Sequence, residues 1–102
     1  MSRVIACPTM FHGSLGSIGA TALQLTATSR KLLRGVYIKA GNGNSTNLVY
    51  VGLLGVTAGV AAPTTDGYQL AANAEVFIPI DDPSKLYVIG STTGLAVTWH
   101  AE

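Results

Sequence analysis

The chain has 102 residues, which is the size of one small domain and leaves no room for a second independent core. Only 11% of the residues are charged and 48% are hydrophobic, a balance that excludes intrinsic disorder, because disordered chains are poor in hydrophobic residues and rich in charge. The formal net charge is +1 and no basic run occurs, which argues against nucleic acid or anionic lipid as a partner.

The first 18 residues are predicted to form an extended N-terminal arm, followed by one β-rich domain over residues 19–102. The arm contains Met10, Phe11 and His12. Because exposed apolar side chains such as those of Met10 and Phe11 commonly mark an interaction site, we expect the arm to contact a partner surface.

Neither a targeting segment nor a membrane span is expected. The apolar run near the start is too short for a signal peptide, so we expect synthesis in a cytoplasm. The longest uncharged stretch, residues 40–65, is interrupted too often by Gly, Asn, Ser and Thr to cross a bilayer. Cys7 is the single cysteine and therefore has no internal disulfide partner, which fits this compartment.

After the arm, short β-branched and aromatic runs alternate with turn residues, a spacing typical of β-sandwiches and barrels. No segment has the periodicity of a helix. We expect one small antiparallel β-sandwich of about seven or eight strands, with jelly-roll or Greek-key connections. The runs that predict strands are residues 21–26, 32–39, 48–54, 68–71, 75–80, 86–89 and 95–100.

Alternation within the earlier runs predicts which side chains share one face of a strand. Val36 and Ile38 share one face of their strand, and Tyr37 and Lys39 share the other. Residues 48–54 are largely apolar on both faces, so this strand must be covered on both sides.

The later runs carry further signals. Pro79 predicts an edge strand or a strand end, because proline has no backbone N–H to donate. Residues 86–89 form the most continuous apolar run and are placed at the centre of a sheet. Trp99 alternates in phase with Leu95 and Val97, which predicts that its ring packs in the core.

The segments between the runs have the composition of turns and loops. Residues 41–46 predict a hairpin loop, and residues 55–65 predict a loop or a short irregular edge. Asn73 occupies a tight turn that requires a positive φ. Residues 81–84 predict a turn with an aspartate side chain bonded to the backbone, and residues 91–94 predict the last hairpin.

The titratable residues do not converge on a catalytic or metal site. Cys7 and His12 are close in sequence, but zinc needs further ligands and no second cluster follows. Asp81 and Asp82 precede Pro83 and fit a turn better than a functional carboxylate pair. We therefore predict a protein that is not an enzyme and binds neither metal nor cofactor.

Five segments carry a resemblance to a known group of proteins. They are RGVYIKA at residues 34–40, VYVG at 49–52, GVTA at 55–58, GYQLAA at 67–72 and IDDPSKLYVIG at 80–90. In this order, from about residue 32 to the end, the chain resembles small virion structural proteins of tailed bacteriophages, and most of all capsid decoration (cement) proteins. A glycine is expected in the turn at residue 73, where this chain has an asparagine that tolerates the same positive φ.

The resemblance implies a non-enzymatic protein that binds the outer surface of an icosahedral capsid and stabilises it. Such proteins are often trimers, so the implied partners are the major capsid protein and further copies of this chain. The implied location is the capsid surface of a virion, after synthesis in the host bacterial cytoplasm. We expect the contacts to include Met10, Phe11 and His12 of the arm, together with Leu53 and Leu54.

Two other functions fit the same sequence. A tail, adaptor or fibre component of a virion would use similar strands and turns, and fewer copies would be present in each particle. A small carbohydrate-binding β-module would bind sugars through exposed aromatic rings, for which Tyr50, Tyr68 and Tyr87 are candidates.

Overall fold

The computed structural model describes residues 10–56 and 67–102, which fold as an all-β sandwich, as predicted. Within these ranges eight strands form two antiparallel sheets of four strands each. The strands are β1 (Phe11–Ile18), β2 (Leu23–Gln24), β3 (Val36–Ala40), β4 (Val49–Gly52), β5 (Tyr68–Leu70), β6 (Glu75–Ile78), β7 (Tyr87–Gly90) and β8 (Leu95–Ala101). The same ranges contain two short 3₁₀ segments, Asn42–Asn44 and Pro83–Lys85, and no helix long and apolar enough to cross a membrane.

The strand order is that of a jelly roll. The first sheet has the order β1-β8-β3-β6, and the second has the order β2-β7-β4-β5. Each strand pairs with its counterpart from the other end of the series, β1 with β8, β2 with β7, β3 with β6 and β4 with β5. The chain therefore runs as one long hairpin that is rolled into two sheets, which is one of the two connection types that the sequence predicts.

The core lies between the sheets and follows the predicted alternation. Val36 and Ile38 of β3 are fully buried, whereas Tyr37 and Lys39 face outward. Alternate residues of β8 are likewise buried, and Trp99 is among them. Burying an aliphatic side chain contributes about 1.5–3 kcal/mol relative to exposure, so this alternation accounts for much of the stability of the sandwich.

Two predictions about strand position are confirmed. β6 ends at Ile78, directly before Pro79, and it is an edge strand of the first sheet. The apolar run at residues 86–89 contributes most of β7, which lies inside the second sheet between β2 and β4.

Both predicted hairpins are wrong, because their turns connect strands of different sheets. β3 precedes residues 41–46 and pairs with β6 and β8, but β4, which follows them, pairs with β5 and β7. Residues 91–94 connect β7 of the second sheet with β8 of the first. Turn residues identify where the chain reverses, whereas strand partners depend on packing between distant segments.

The boundary of the predicted arm also needs correction. Phe11–Ile18 is strand β1, which pairs with β8 inside the first sheet, so the sandwich includes residues assigned to an arm over residues 1–18. The register shifts between Leu15 and Ile18, where Ser17 has a φ of 56°, as expected for a bulge. Residues 1–9, and Cys7 with them, lie outside the described residues.

Part of the outer face of the second sheet, around Tyr50 and Ile89, is covered by the turn that follows β4. Val56 of this turn is buried against Tyr50 and Ile89. A Cβ atom at Gly67 would lie only 2.6 Å from Val56 Cγ2, so a glycine is needed there for the close approach. β4 is thus covered on both sides, as its two apolar faces predict. Of the predicted loop over residues 55–65, the part from residue 57 onward lies outside the described residues.

Asp82 organises the turn that leads into β7. Its carboxylate accepts hydrogen bonds from the Ser84 N–H at 2.9 Å and the Ser84 hydroxyl at 2.8 Å, and a further one from the Ser29 hydroxyl. These bonds form the predicted turn between an aspartate side chain and the backbone. Because they stabilise the ionised form, the Ser29 hydroxyl most of all, they lower the pKa of Asp82 from 3.8 to about 2.

We expect this carboxylate to make stability depend on pH in acid. A lowered pKa in the folded state means that the ionised carboxylate stabilises the fold above pH 3.8, and this contribution is lost as the pH falls from 3.8 towards about 2. The urea midpoint of the native protein should therefore decrease across this window more steeply than that of Asp82→Asn.

Asp81→Asn is the matched control, because the Asp81 carboxylate accepts a hydrogen bond from Lys85 Nζ at 2.8 Å in an exposed ion pair. Exposed pairs contribute little to stability, so this variant should keep most of the acid dependence. Parallel curves for the native protein and Asp82→Asn would show that the Asp82 bonds do not stabilise the fold.

Candidate functional site

The outer face of the first sheet carries a line of rings that crosses all four strands. In the strand register, His12 of β1 is opposite His100 of β8, His100 is opposite Tyr37 of β3, and Tyr37 is opposite Phe77 of β6. We call these four residues the aromatic row. Since adjacent strands lie about 4.8 Å apart, the row is about 14 Å long.

The central rings of the aromatic row touch one another. The Tyr37 ring centroid lies 4.8 Å from that of Phe77 and 4.9 Å from that of His100, with interplanar angles of 51° and 35°. Tyr37 is 38% exposed and Phe77 is 36% exposed, so the described residues do not cover these rings. The packing fixes the rings on a rigid sheet while part of their surface stays accessible.

A line of polar residues lies beside the aromatic row, and we call it the polar row. It consists of Ser14 on β1, Thr98 on β8, Lys39 on β3 and Glu75 on β6, which are opposite one another in the register. Together with most of the aromatic row, these residues line a groove of about 620 Å³. This volume lies within the range of about 300–1,000 Å³ that is usual for small-ligand sites.

The polar row retains free hydrogen-bonding capacity. Lys39 and Glu75 are direct cross-strand neighbours, but no ion pair joins them, whereas Lys85 and Asp81 form one. The Lys39 ammonium and the Glu75 carboxylate can therefore bond to a ligand in the groove. The groove combines ring faces with donors and acceptors, which suits the binding of a polar ligand that also has apolar faces.

The predicted contact residues fall into separate places. Met10 and His12 line the groove, and both are exposed. Leu53 and Leu54 lie in the turn after β4, on the second sheet, and are 59% and 79% exposed. The structure therefore does not bring the predicted residues together into one surface.

Phe11 differs from its neighbours because it packs on the core side of β1. Its ring contacts the Trp99 ring edge to face, with a centroid distance of 5.5 Å and an interplanar angle of 90°. The Arg30 guanidinium lies over the same ring, 4.3 Å from its centroid. Phe11 thus anchors β1 within its own chain.

Most of the groove is not predicted by the amino-acid sequence. Alternation predicts that Tyr37 and Lys39 share one face of their strand, but it does not show which residues of other strands lie beside them. The signal exists in the alternation of β6 and β8, where Phe77 and His100 are out of phase with the buried residues. Using it requires the register between strands that are far apart in sequence.

The described residues contain no group of three or more His, Cys, Asp or Glu side chains that could bind a metal ion. The two histidines of the groove, His12 and His100, are accompanied there by a single carboxylate, that of Glu75. Cys7, which was considered with His12 as part of a metal site, lies outside the described residues.

No protein-family model matches this chain, and no curated protein sequence matches it significantly. The fold alone does not identify a function, because one β-sandwich architecture serves many unrelated functions. Two surface features remain from which a function can be inferred, the groove on the first sheet and the exposed leucines on the second.

Proposed function

We propose that this protein is a non-enzymatic virion structural protein that binds the outer surface of a bacteriophage capsid and stabilises it. The resemblance of the chain, from about residue 32 to the end, to decoration proteins of tailed phages suggests this role. The structural observation that carries the proposal is the exposed turn at residues 53–56, which we call the leucine turn. Its proposed partner is the major capsid protein.

The leucine turn is held in a defined position. The Val56 N–H donates a hydrogen bond to the Leu53 carbonyl oxygen at 3.0 Å, and Gly55 has a φ of 98°, which suits glycine at this point of the turn. Val56 is buried against Tyr50 in the second sheet. One end of the turn is therefore anchored, while Leu53 and Leu54 point into solvent.

Two adjacent exposed leucines on a fixed turn suit an interface. Burying a leucine side chain contributes about 1.5–3 kcal/mol, so two of them supply enough energy to anchor a small contact. The surface around them belongs to a chain with only 11% charged residues. A surface poor in charge is less costly to bury, because few ions lose their hydration.

Self-association is the second part of the proposal, and the expected oligomer is a trimer. A domain of this size buries a smaller fraction of its surface than a larger domain does, so contacts with further copies would add stability. Light scattering of the purified chain measures the oligomer directly, and a monomer at all accessible concentrations would contradict this part.

The capsid contact predicts a specific loss of binding. Wild-type protein should saturate empty phage shells that lack it at a fixed ratio, measured by sedimentation of the shells with bound protein. The double variant Leu53→Ser/Leu54→Ser should bind at least about tenfold more weakly, because two apolar anchors are removed. Leu33→Ser is the matched control, since Leu33 is also largely exposed but lies outside the leucine turn.

Three results would argue against the proposal. Failure of the wild type to bind shells would remove the capsid role, and unchanged binding by the double variant would remove the leucine turn as the contact. Recovery of only a few copies from each purified particle would indicate a tail, adaptor or fibre component instead.

A further inference from the structure

We propose that the groove on the first sheet binds a neutral carbohydrate chain. The groove belongs to the first sheet, and the leucine turn follows β4 of the second, so this proposal stands independently of capsid binding. It assigns a ligand class to a surface other than the leucine turn.

The aromatic row supplies stacking surfaces. Aromatic faces carry partial negative charge, so they attract the slightly positive C–H groups on the apolar face of a sugar ring. Tyr37 and His100 line the groove, and Phe77 supports Tyr37 from the neighbouring strand. Their partial exposure leaves ring surface that a sugar can cover.

The polar row supplies the hydrogen bonds that orient sugar hydroxyl groups. Lys39 donates, Glu75 accepts, and the hydroxyls of Ser14 and Thr98 do either. A hydroxyl group is both donor and acceptor, so a sugar can use every member of this set.

The charge of the groove favours a neutral ligand. One lysine and one glutamate line it, so their formal charges cancel. A phosphorylated or strongly acidic ligand would lie against the Glu75 carboxylate without a compensating cluster of cations. Uncharged hexose or N-acetylhexosamine units avoid this cost.

The dimensions of the groove suit a short stretch of a longer chain. The aromatic row is about 14 Å long, which is room for about two or three sugar units in line. The contributing residues lie on paired strands of one sheet, so their backbone is already ordered before binding. Affinity therefore does not depend on ordering a loop.

The experiment is a titration of ¹⁵N-labelled protein with neutral trisaccharides, namely maltotriose, cellotriose and tri-N-acetylchitotriose, up to about 10 mM because single sugar sites bind weakly. At least one of them should shift the amide signals of β3 and β8 around Tyr37 and His100. Tyr37→Ala should raise the Kd about tenfold or more while the far-UV spectrum stays that of the native fold.

Two further variants keep the test decisive if Tyr37→Ala folds poorly. Glu75→Gln keeps the side-chain size and removes the charged acceptor, so it should also weaken binding. Leu33→Ala is the control, because Leu33 is exposed but does not line the groove, so this variant should leave the Kd unchanged.

The proposal is overturned if no neutral trisaccharide shifts these signals, or if only anionic sugars do so. It is equally overturned if Tyr37→Ala and Glu75→Gln both bind as tightly as the wild type. Broadening of the same amide signals with protein concentration, without sugar, would show that a second copy of the chain occupies this face instead.

Discussion

Replacing Gly35 by alanine is expected to lower the free energy of unfolding by about 3 kcal/mol or more. Gly35 has a φ of 151°, and an added Cβ would collide with the carbonyl oxygen of Ile78 and approach Phe77 Cζ and Pro79 Cα to 2.9 Å. A positive φ costs a side chain about 1–2 kcal/mol, and overpacking adds about 1–3 kcal/mol.

The backbone at Gly35 has little freedom to relieve this collision. Its N–H donates to the Glu102 carbonyl oxygen at 3.1 Å, and its own carbonyl oxygen accepts from the Glu102 N–H at 3.0 Å. Moving Gly35 away from Ile78 would strain these two bonds, which extend the pairing of β3 and β8. The variant must therefore distort β6, β8 or both.

Two other glycines separate the causes. Gly94 has a φ of 78° with open space around a Cβ, so Gly94→Ala should lose about 1 kcal/mol through φ alone. Gly16 has open space and no positive φ, so Gly16→Ala should change stability little. Urea titration of all three variants measures the differences, and a loss at Gly35 no larger than that at Gly94 would refute the predicted collision.

Replacing Asn44 by alanine is expected to lower the free energy of unfolding by about 2–3 kcal/mol. Asn44 is 2% exposed, and its side-chain amide pairs with the backbone of Ala96 as a residue of a neighbouring strand would. Its Nδ2 donates to the Ala96 carbonyl oxygen at 2.9 Å, and its Oδ1 accepts from the Ala96 N–H at 3.0 Å. Alanine would leave the Ala96 N–H without this acceptor at a part-buried site.

The Asn44 pair also explains how the turn after β3 is secured. The Gly41 N–H donates to the same Ala96 carbonyl oxygen at 2.9 Å, so that oxygen keeps a partner in the variant, whereas the Ala96 N–H does not. Asn44→Asp should destabilise at least as much, because a carboxylate would face the Ala96 carbonyl oxygen in a buried site.

Asn42→Ala is the control for Asn44. Asn42 Oδ1 accepts a hydrogen bond from Asn73 Nδ2 at 3.0 Å, and this bond is exposed. Its removal should cost less than about 1 kcal/mol, since water replaces the lost partner. Thermal and urea unfolding of both variants measure the comparison. Equal losses at Asn42 and Asn44 would contradict the role assigned to the buried pair.

Local patterns predicted the features that depend on neighbouring residues. The alternation of Val36, Tyr37, Ile38 and Lys39 correctly divided β3 into two faces, of which the first is buried in the structure. Asn73 has the expected positive φ, 67°. In each case the determinant lies within a few residues of the position, so one sequence is sufficient.

Features that depend on strand pairing could not be predicted in the same way. β1 was taken for an arm because glycine and polar residues weaken its apolar pattern. Gly13 is opposite Trp99, and a Cβ there would lie 2.9 Å from Trp99 Cζ2, so the glycine makes room for the indole. This reason becomes visible only when the register of β1 and β8 is known. The aromatic row depends on the same information.

The nested pairing of the jelly roll has a consequence for how the chain folds. β4 and β5 are the pair with the smallest sequence separation, whereas β1 and β8 are the pair with the largest. Closing the longest loop costs the most entropy, and folds rich in such contacts reach the native state slowly, in about milliseconds to seconds. On the ribosome β1 emerges early and has no partner until β8 has been made. The glycines and polar side chains of β1 make it hard to recognise as a strand from the sequence. They also make it a poor template for aggregation during that interval.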